Sequence, residues 1–270
     1  MANFLIERGA PGVVVKRSGI EAYFPCSRAH APLKRAVRRY LRDIGRLGGH
    51  KGGLGAEWRV IAEENWHDSW RRFIKAQKVG RTFRVTPPWL PPPKNNRRKV
   101  IAIEPGMAFG TGTHATTRGC LEFLEATAGF FCGKDFAALD VGTGSGILAI
   151  ALAKLGARSI WAVDSDPLAL KVARDNLSMN GVEKNVHLTG AKLSGVRKSF
   201  SLVVANLTAE TILGIADALA QKVKPQGHLI LSGILRQQAR AVGRRFGDEG
   251  FVLLRRKQEK EWVTLLLKRK

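Results

Sequence analysis

The sequence predicts an α/β fold, a parallel sheet with helices on both faces, because short apolar runs and helix-like segments alternate from residue 100 onward. Two further observations support it. Asp140-Val-Gly142-Thr-Gly144-Ser-Gly146 stands between the apolar run 136–139 and the helix-like segment 147–155, the pattern of a strand, a glycine turn and a helix. A second apolar run, 159–163, ends on Asp164, 22 residues beyond Gly142.

Taken in order, strands are expected at 136–141, 160–163, 186–189, 202–205 and 229–231, with helices between them. The last two strand-like runs, 251–255 and 262–267, flank the charged stretch 256–261 and should pair as a hairpin. Asp166, followed by Pro167 and the periodic Leu168, Leu170, Val172, Ala173 and Leu177, has the chemistry of a helix N-cap with proline at the first helical position.

Before residue 100 the pattern changes. Residues 12–16 and 21–24 look like two strands joined at Ser18-Gly19, and 32–47 looks helical, with Leu33, Val37, Tyr40, Leu41 and Ile44 on one face. Lys34, Arg35, Arg38, Arg39, Arg42 and Arg46 cover the other face, interrupted by Asp43 alone. Gly48 to Gly55 is a glycine-rich connector, 58–61 is strand-like, and Trp66, Trp70, Phe73 and Ile74 mark a packed helix. Pro87-Pro-Trp-Leu-Pro-Pro-Pro93, followed by a charged stretch to Lys99, reads as a stiff crossing. The expected organisation is a small α+β domain over 1–62, a linker with a helix and the proline-rich crossing over 63–99, and the α/β domain over 100–270.

Composition narrows the classes. The 270 residues are 44% hydrophobic and 25% charged, which is ordinary globular usage. The longest apolar run, 147–153, is far short of the roughly 20 residues a membrane span needs, and the start lacks a basic region with a long apolar core, so the expectation is a cytoplasmic protein with no membrane partner. Cys26, Cys120 and Cys132 have no C-x-x-C spacing, and the six histidines are scattered, so neither a disulfide frame nor a metal site is indicated. Charge is the unusual quantity. Lys and Arg number 45 against 22 Asp and Glu, a net +23, and residues 1–99 alone carry +15 of it. Such a field favours acidic partners, nucleic acid above all, and the basic face of the 32–47 helix is a candidate RNA surface; a plain solvated face is the alternative.

The glycine spacing selects the ligand. A dinucleotide fingerprint counted from Gly142 needs glycine at 147, which is Ile147, and no Gly-Lys-Ser/Thr follows to make a phosphate loop. The spacing G-x-G-x-G after Asp140 resembles the first motif of Rossmann-like S-adenosylmethionine-dependent methyltransferases, although such a turn also serves as a plain connector. Asp164 lies where a ribose-binding carboxylate belongs, roughly 20 residues past the first glycine. An ionised carboxylate can accept from both ribose hydroxyls.

Further segments carry a more specific resemblance. Glu104-Pro-Gly-Met-Ala-Phe-Gly-Thr-Gly-Thr113-His114-Ala-Thr-Thr117, then Asp140 to Gly146, Val203-Val-Ala-Asn206-Leu-Thr-Ala209 and Leu231-Ser-Gly-Ile-Leu235 together closely resemble the PrmA family, the methyltransferases of large-subunit ribosomal protein L11. That resemblance covers about residue 58 to the C-terminus. It implies a Rossmann-like seven-stranded sheet with an antiparallel final strand, preceded by a ferredoxin-like domain that recognises the protein substrate. The pattern departs in one place: of the strand and helix that open the family's first domain, only something like residues 2–9 remains, so a truncated first domain is expected.

The resemblance implies S-adenosyl-L-methionine as cofactor, held by Asp140, Gly142, Gly144, Gly146, Asp164 and Asn206, with Thr117 in contact and Thr113 and His114 near it. Thr117 and Asn206 are the catalytic candidates. Asn206 ends a strand, where open parallel sheets place ligands, and its amide carbonyl can accept from an incoming amine and aim the nitrogen lone pair; an N-cap for a helix over 209–222 is the competing role. Leu207-Thr208-Ala209 offers no aromatic to stack a flipped base, which argues for an aliphatic amine. His114 reads as an orienting group, and no dedicated strong base is expected. The expected function is protein N-methylation of lysine, and of a terminal amine, on the ribosomal protein, by a monomer. The alternatives are methylation of another protein or of RNA, and a ribosome-binding assembly factor with a non-catalytic pocket. Carbon methylation of cytosine in RNA is disfavoured, since no cysteine follows Cys132 to serve as nucleophile.

Overall fold

The computed structural model describes residues 1–10, 12–16, 19–25, 30–47, 54–59, 75–105, 112, 114–131 and 135–270, and the chain divides into two compact units, 1–71 and 72–270. The expected helix with Trp66, Trp70, Phe73 and Ile74, most of the glycine connector, Cys26 and Cys132 lie outside the described residues.

In the first unit a short helix α1 (Ala2–Glu7) precedes the antiparallel hairpin β1 (Gly12–Lys16) and β2 (Gly19–Tyr23), and helix α2 spans His30–Leu47. Of the expected ferredoxin-like domain, the described residues hold these two strands and two helices. Amphipathic spacing builds a small core: Val37 and Leu41 of α2 meet Leu5 and Ala10, with Leu33 and Trp58 packed against them. Phe4 stacks on Tyr40 with ring centroids 4.0 Å apart. The opposite face of α2 leaves Arg35, Arg38, Arg39 and Arg42 exposed. The strand expected from residue 58 is not present at Trp58 and Arg59; the Trp58 ring is used instead in this core and beneath the Lys34 ammonium, 5.4 Å from the ring centroid.

In the second unit the strands β3 (Gln77–Val79), β4 (Phe83–Thr86) and β5 (Lys99–Ala102) form a three-stranded sheet. This corrects the reading of 63–99 as linker from residue 77 onward. Val79, Phe83, Val85 and Ile101 are buried in the same core as the main sheet, and the proline-rich stretch is the crossover between the parallel β4 and β5, where missing N–H groups cost no ladder bond.

Helix α3 (Ala115–Ala128) follows, then β6 (Ala137–Val141), α4 (Ile147–Lys154), β7 (Ser159–Val163), α5 (Pro167–Met179), β8 (Val186–Thr189) and β9 (Phe200–Asn206). Two short helices, α6 (Ala209–Gly214) and α7 (Ala216–Lys222), replace the single helix expected at 209–222, the break following Gly214, a poor helix former. The chain ends with β10 (Val223–Leu235), α8 (Ala239–Asp248), β11 (Phe251–Glu259) and β12 (Trp262–Arg269).

The seven strands run in the order β11-β12-β10-β9-β6-β7-β8, parallel from β10 to β8 and antiparallel at β12 and β11. Alternation of side chains sorts the core into two layers. Ala138, Ile160, Ala162, Leu202 and Val204 face α3 and α4, while Leu139, Val203, Leu229 and Leu231 face α6, α7 and α8. From Ile147 to Leu152 every residue of α4 is buried, which explains a helix apolar on all sides. The chain leaves β6 toward β7 and β8, then returns to β9 on the other side of β6. That reversal opens a crevice at the carboxyl ends of β6 and β9. Among the described residues no helix is long and apolar enough to cross a membrane.

Candidate active site

The crevice is a cavity of about 830 Å³, a size suited to a nucleoside-like ligand. Gly142, Gly144 and Asp164 line it from the β6 and β7 side, and Asn206, Leu207 and Thr211 from the β9 side. No aromatic residue is in its lining among the described residues.

Backbone conformation explains the glycines. Gly142, Gly144 and Gly146 all have positive φ, at 71°, 53° and 81°, which disfavours any side chain there. A Cβ at Gly142 would collide with the Leu207 side chain, and one at Gly146 would press on the backbone of Ala173 at 3.3 Å. The turn is therefore wedged between α5 and the β9 loop.

Two carboxylates hold it. Asp164 accepts from Gly144 N at 2.8 Å through Oδ2 and from Asp166 N at 3.0 Å through Oδ1. Each oxygen keeps a lone pair for a further donor. Asp140 is 0% exposed and is not part of the cavity wall. Its Oδ2 accepts from Thr143 Oγ1 at 2.7 Å and from Ala149 N at 3.1 Å, tying the turn to the first residues of α4, while Oδ1 is buried without a partner. Burial pushes the Asp140 carboxyl up to about 7, against the pull of those two donors and with a small push from the charge of Asp164.

The β9 side is built differently. Asn206 Nδ2 donates to Thr117 Oγ1 at 3.4 Å, and Asn206 Oδ1 is buried with no partner. Thr117 is wholly buried in the first turn of α3, behind the wall. The competing role of Asn206 as a helix cap is excluded, because Thr208 caps α6, its side chain accepting from Thr211 N at 3.3 Å. Asp166 does cap α5, accepting from Leu168 N at 2.8 Å.

His114 is the N-cap of α3, with Nδ1 2.7 Å from Thr116 Oγ1, and its ring meets Trp262 edge-on at 5.0 Å. The structure thus brings Thr117 and Asn206 together and places His114 at the start of the same helix. Thr113 lies outside the described residues, as do 106–111 of the motif 104–117.

Two supporting residues carried no signal in the motifs. Asn176, buried on α5, accepts from Glu104 N at 3.1 Å and donates to Ser145 O at 2.8 Å, joining residue 104 to the glycine turn. One turn later Asn180 pairs with both backbone groups of Ala102. Their four-residue spacing on one helix face is the only sequence sign of them.

The residues fit S-adenosylmethionine. Asp164 retains acceptor capacity for ribose hydroxyls, the glycine turn admits close approach, and Asn206 adds a polar residue to the cavity wall.

Comparison with known proteins bears on the family. A family model described as ribosomal protein L11 methyltransferase (PrmA) matches residues 3–270. A ribosomal protein L11 methyltransferase of Geobacter sulfurreducens is 38% identical, over 98% of this chain and 92% of its own length. One of Streptococcus pyogenes serotype M1 is 35% identical, over 100% and 91%. The crystal structure of a ribosomal protein L11 methylase from Lactobacillus delbrueckii subsp. bulgaricus superposes with a TM-score of 0.67 at 31% identity, over 73% of this chain and all of that one. A match over nearly the whole chain, carried by relatives above 30% identity, places this chain in the ribosomal protein L11 methyltransferase family, PrmA.

Proposed function

We propose that this chain methylates lysine side-chain amines, and a terminal amine, of ribosomal protein L11, with S-adenosylmethionine as methyl donor. The observation that carries the reading is Asn206, a residue of the cavity wall whose amide oxygen Oδ1 is buried with no hydrogen-bond partner. An amine that donates one hydrogen to it satisfies the oxygen and has its lone pair aimed by the same contact.

The donor, when bound, supplies a methyl already activated on a positive sulfonium, so positioning dominates. Gly142, Gly144 and Asp164 hold it in this reading, Asp140 and Gly146 shape the turn around it, and His114 and Thr113 lie nearby. Thr117 fixes the amide of Asn206 through the bond to Nδ2. An ammonium must first lose a proton, at about 4.6 kcal/mol for a free lysine at pH 7. Burial beside a positive charge lowers that cost, so no strong base is required of the chain.

The absence of an aromatic residue from the described lining favours an aliphatic amine over a flipped base. The buried Cys120, its thiol pushed up by burial, is inert as a nucleophile. The exposed basic face of α2 is proposed to contact ribosomal RNA while the substrate is on the ribosome, the enzyme acting as a cytoplasmic monomer. Incubation with radiolabelled donor and purified L11, read by mass spectrometry, tests the reading. Label on lysine and terminal amines is expected; label confined to RNA, or to neither, would overturn it.

A further inference from the structure

We infer that Ser232 is a positioning residue for methyl transfer, acting through the first turn of α3 on Thr117 and Asn206; the inference rests on the function proposed above and deepens it. Ser232 is 0% exposed and lies outside the cavity lining. Its hydroxyl is 3.1 Å from Thr116 O and 2.8 Å from Thr264 Oγ1.

The hydrogens can be assigned. A carbonyl only accepts, so the single Ser232 hydrogen goes to Thr116 O. With that hydrogen placed, the Thr264 hydroxyl donates to Ser232, and the buried Cys120 of α3 is a further side-chain partner of the same serine.

Backbone geometry explains how a strand residue reaches this helix. The pairing of β10 with β12 shifts register between Leu231 and Ile234, so Ser232 and Gly233 together stand opposite Thr264. Such a bulge re-aims a side chain. Gly233 takes a φ of 83°, and a Cβ there would strike the Leu207 carbonyl. Gly119 of α3 likewise has no room for a Cβ, which would strike the Thr264 hydroxyl. Two glycines therefore bring α3, β12 and the β9 loop close enough for these bonds to form.

The consequence falls on the reacting groups. Ser232 is the ladder neighbour of Asn206, and its carbonyl accepts from Leu207 N at 3.1 Å. One residue thus anchors the strand end that carries Asn206 and, through Thr116, the helical turn that carries Thr117. The separation of Thr117 from Asn206 is set by both anchors. Without the hydroxyl, the α3 turn drifts relative to β9 and the Asn206 amide loses its fixed orientation, while the glycine turn and Asp164 remain untouched.

The test is kinetic, with radiolabelled methyl transfer to L11 and calorimetry of S-adenosylhomocysteine. Ser232→Ala is expected to lower kcat about tenfold, an effect of the size a sub-ångström misplacement produces. KM for the donor and the calorimetric affinity should stay within about twofold, because the donor wall does not depend on this residue. Ser232→Thr, which keeps the hydroxyl, should retain most of kcat. In an Asn206→Ala background Ser232→Ala should have no further effect, since it acts through that amide.

Unchanged kcat in Ser232→Ala, a loss confined to donor affinity, or full independence in the double variant would overturn the positioning role alone. Wild-type protein that moves no methyl to L11 would overturn both this and the proposed function. Should Ser232→Ala fail to fold, Thr264→Val removes the donor that orients Ser232 with little change of volume. A kcat reduced about threefold at constant donor KM is expected there, and an unchanged kcat would refute the positioning role.

Discussion

The two walls of the cavity each hide an oxygen without a partner, and the chemistry of the two groups differs. On the glycine side it belongs to Asp140, a carboxyl placed behind the turn. On the β9 side it belongs to Asn206, an amide in the wall itself. Burial drives the Asp140 carboxyl up to about 7, so a carboxyl at this depth changes charge near neutrality. An amide keeps its acceptor at every pH and carries no charge. With the proposed function, the comparison accounts for an acid in a structural role and for asparagine at the place proposed to meet a neutral amine. A carboxylate there would stabilise the ammonium form, the one that cannot attack.

The largest expected effect separates the walls directly. Asn206→Ala should reduce kcat for methyl transfer to L11 by about 10³-fold, the scale for removing one preorganised polar group from a reacting centre. Donor affinity by calorimetry should change only a few-fold. Equal losses in both would erase the distinction between a donor wall and an amine wall.

Asp140 makes the second prediction, on stability. Its pKa is 3.8 when free and about 7 in the fold, so between those values the folded state binds more protons than the unfolded one. Stability from this group is present in full below pH 4 and is lost as pH rises through 7. Relative to Asp140→Asn, wild type should lose about 2 kcal/mol between pH 5 and pH 7, the slope flattening as the folded-state group begins to ionise near pH 7. Urea unfolding of both proteins at pH 5, 6 and 7 measures it, and parallel profiles would refute the shift.

Legibility in the sequence also divides along these walls. Asp140, the three glycines and Asp164 were readable because their relations are local: a turn needing positive φ, and a carboxylate one βα unit later. Asn206 was readable as a strand end, but its freedom from capping was not, since Thr208, two residues on, could take that role only in three dimensions. Ser232 lies in the motif 231–235, but nothing local to that motif points to its role. Its partners Thr116 and Thr264 are 116 and 32 residues away, and no periodicity encodes a bulge that lets them meet. Among the folds, α4 and the main parallel strands follow from apolar runs. The strands β3 and β4 read as linker because they have only three and four residues and prolines follow them.

The third effect is smaller and belongs to the glycine wall. Asp164→Ala removes a carboxylate that accepts from Gly144 N and Asp166 N and that keeps capacity for a ligand. Donor affinity should fall about thirtyfold, roughly 2 kcal/mol, the range for a hydrogen bond to a charged group. With saturating donor, kcat should return to near the wild-type value. Unchanged affinity would remove Asp164 from the donor site.

The smallest effect lies in the first unit, where charge rather than geometry makes the case. Arg38 and Arg42 are four residues apart on the exposed face of α2, opposite the buried Val37 and Leu41. Converting both to Glu leaves that core untouched and replaces two cations with two anions. If this face meets ribosomal RNA, association with ribosomes should weaken about tenfold at low salt, and the dependence on salt should become shallower, because fewer counterions are released on binding. Methylation of free L11 should be unaffected. A loss of methylation of free L11 would instead make the basic face a contact for the protein substrate, and salt-independent binding equal to wild type would leave it a solvated surface.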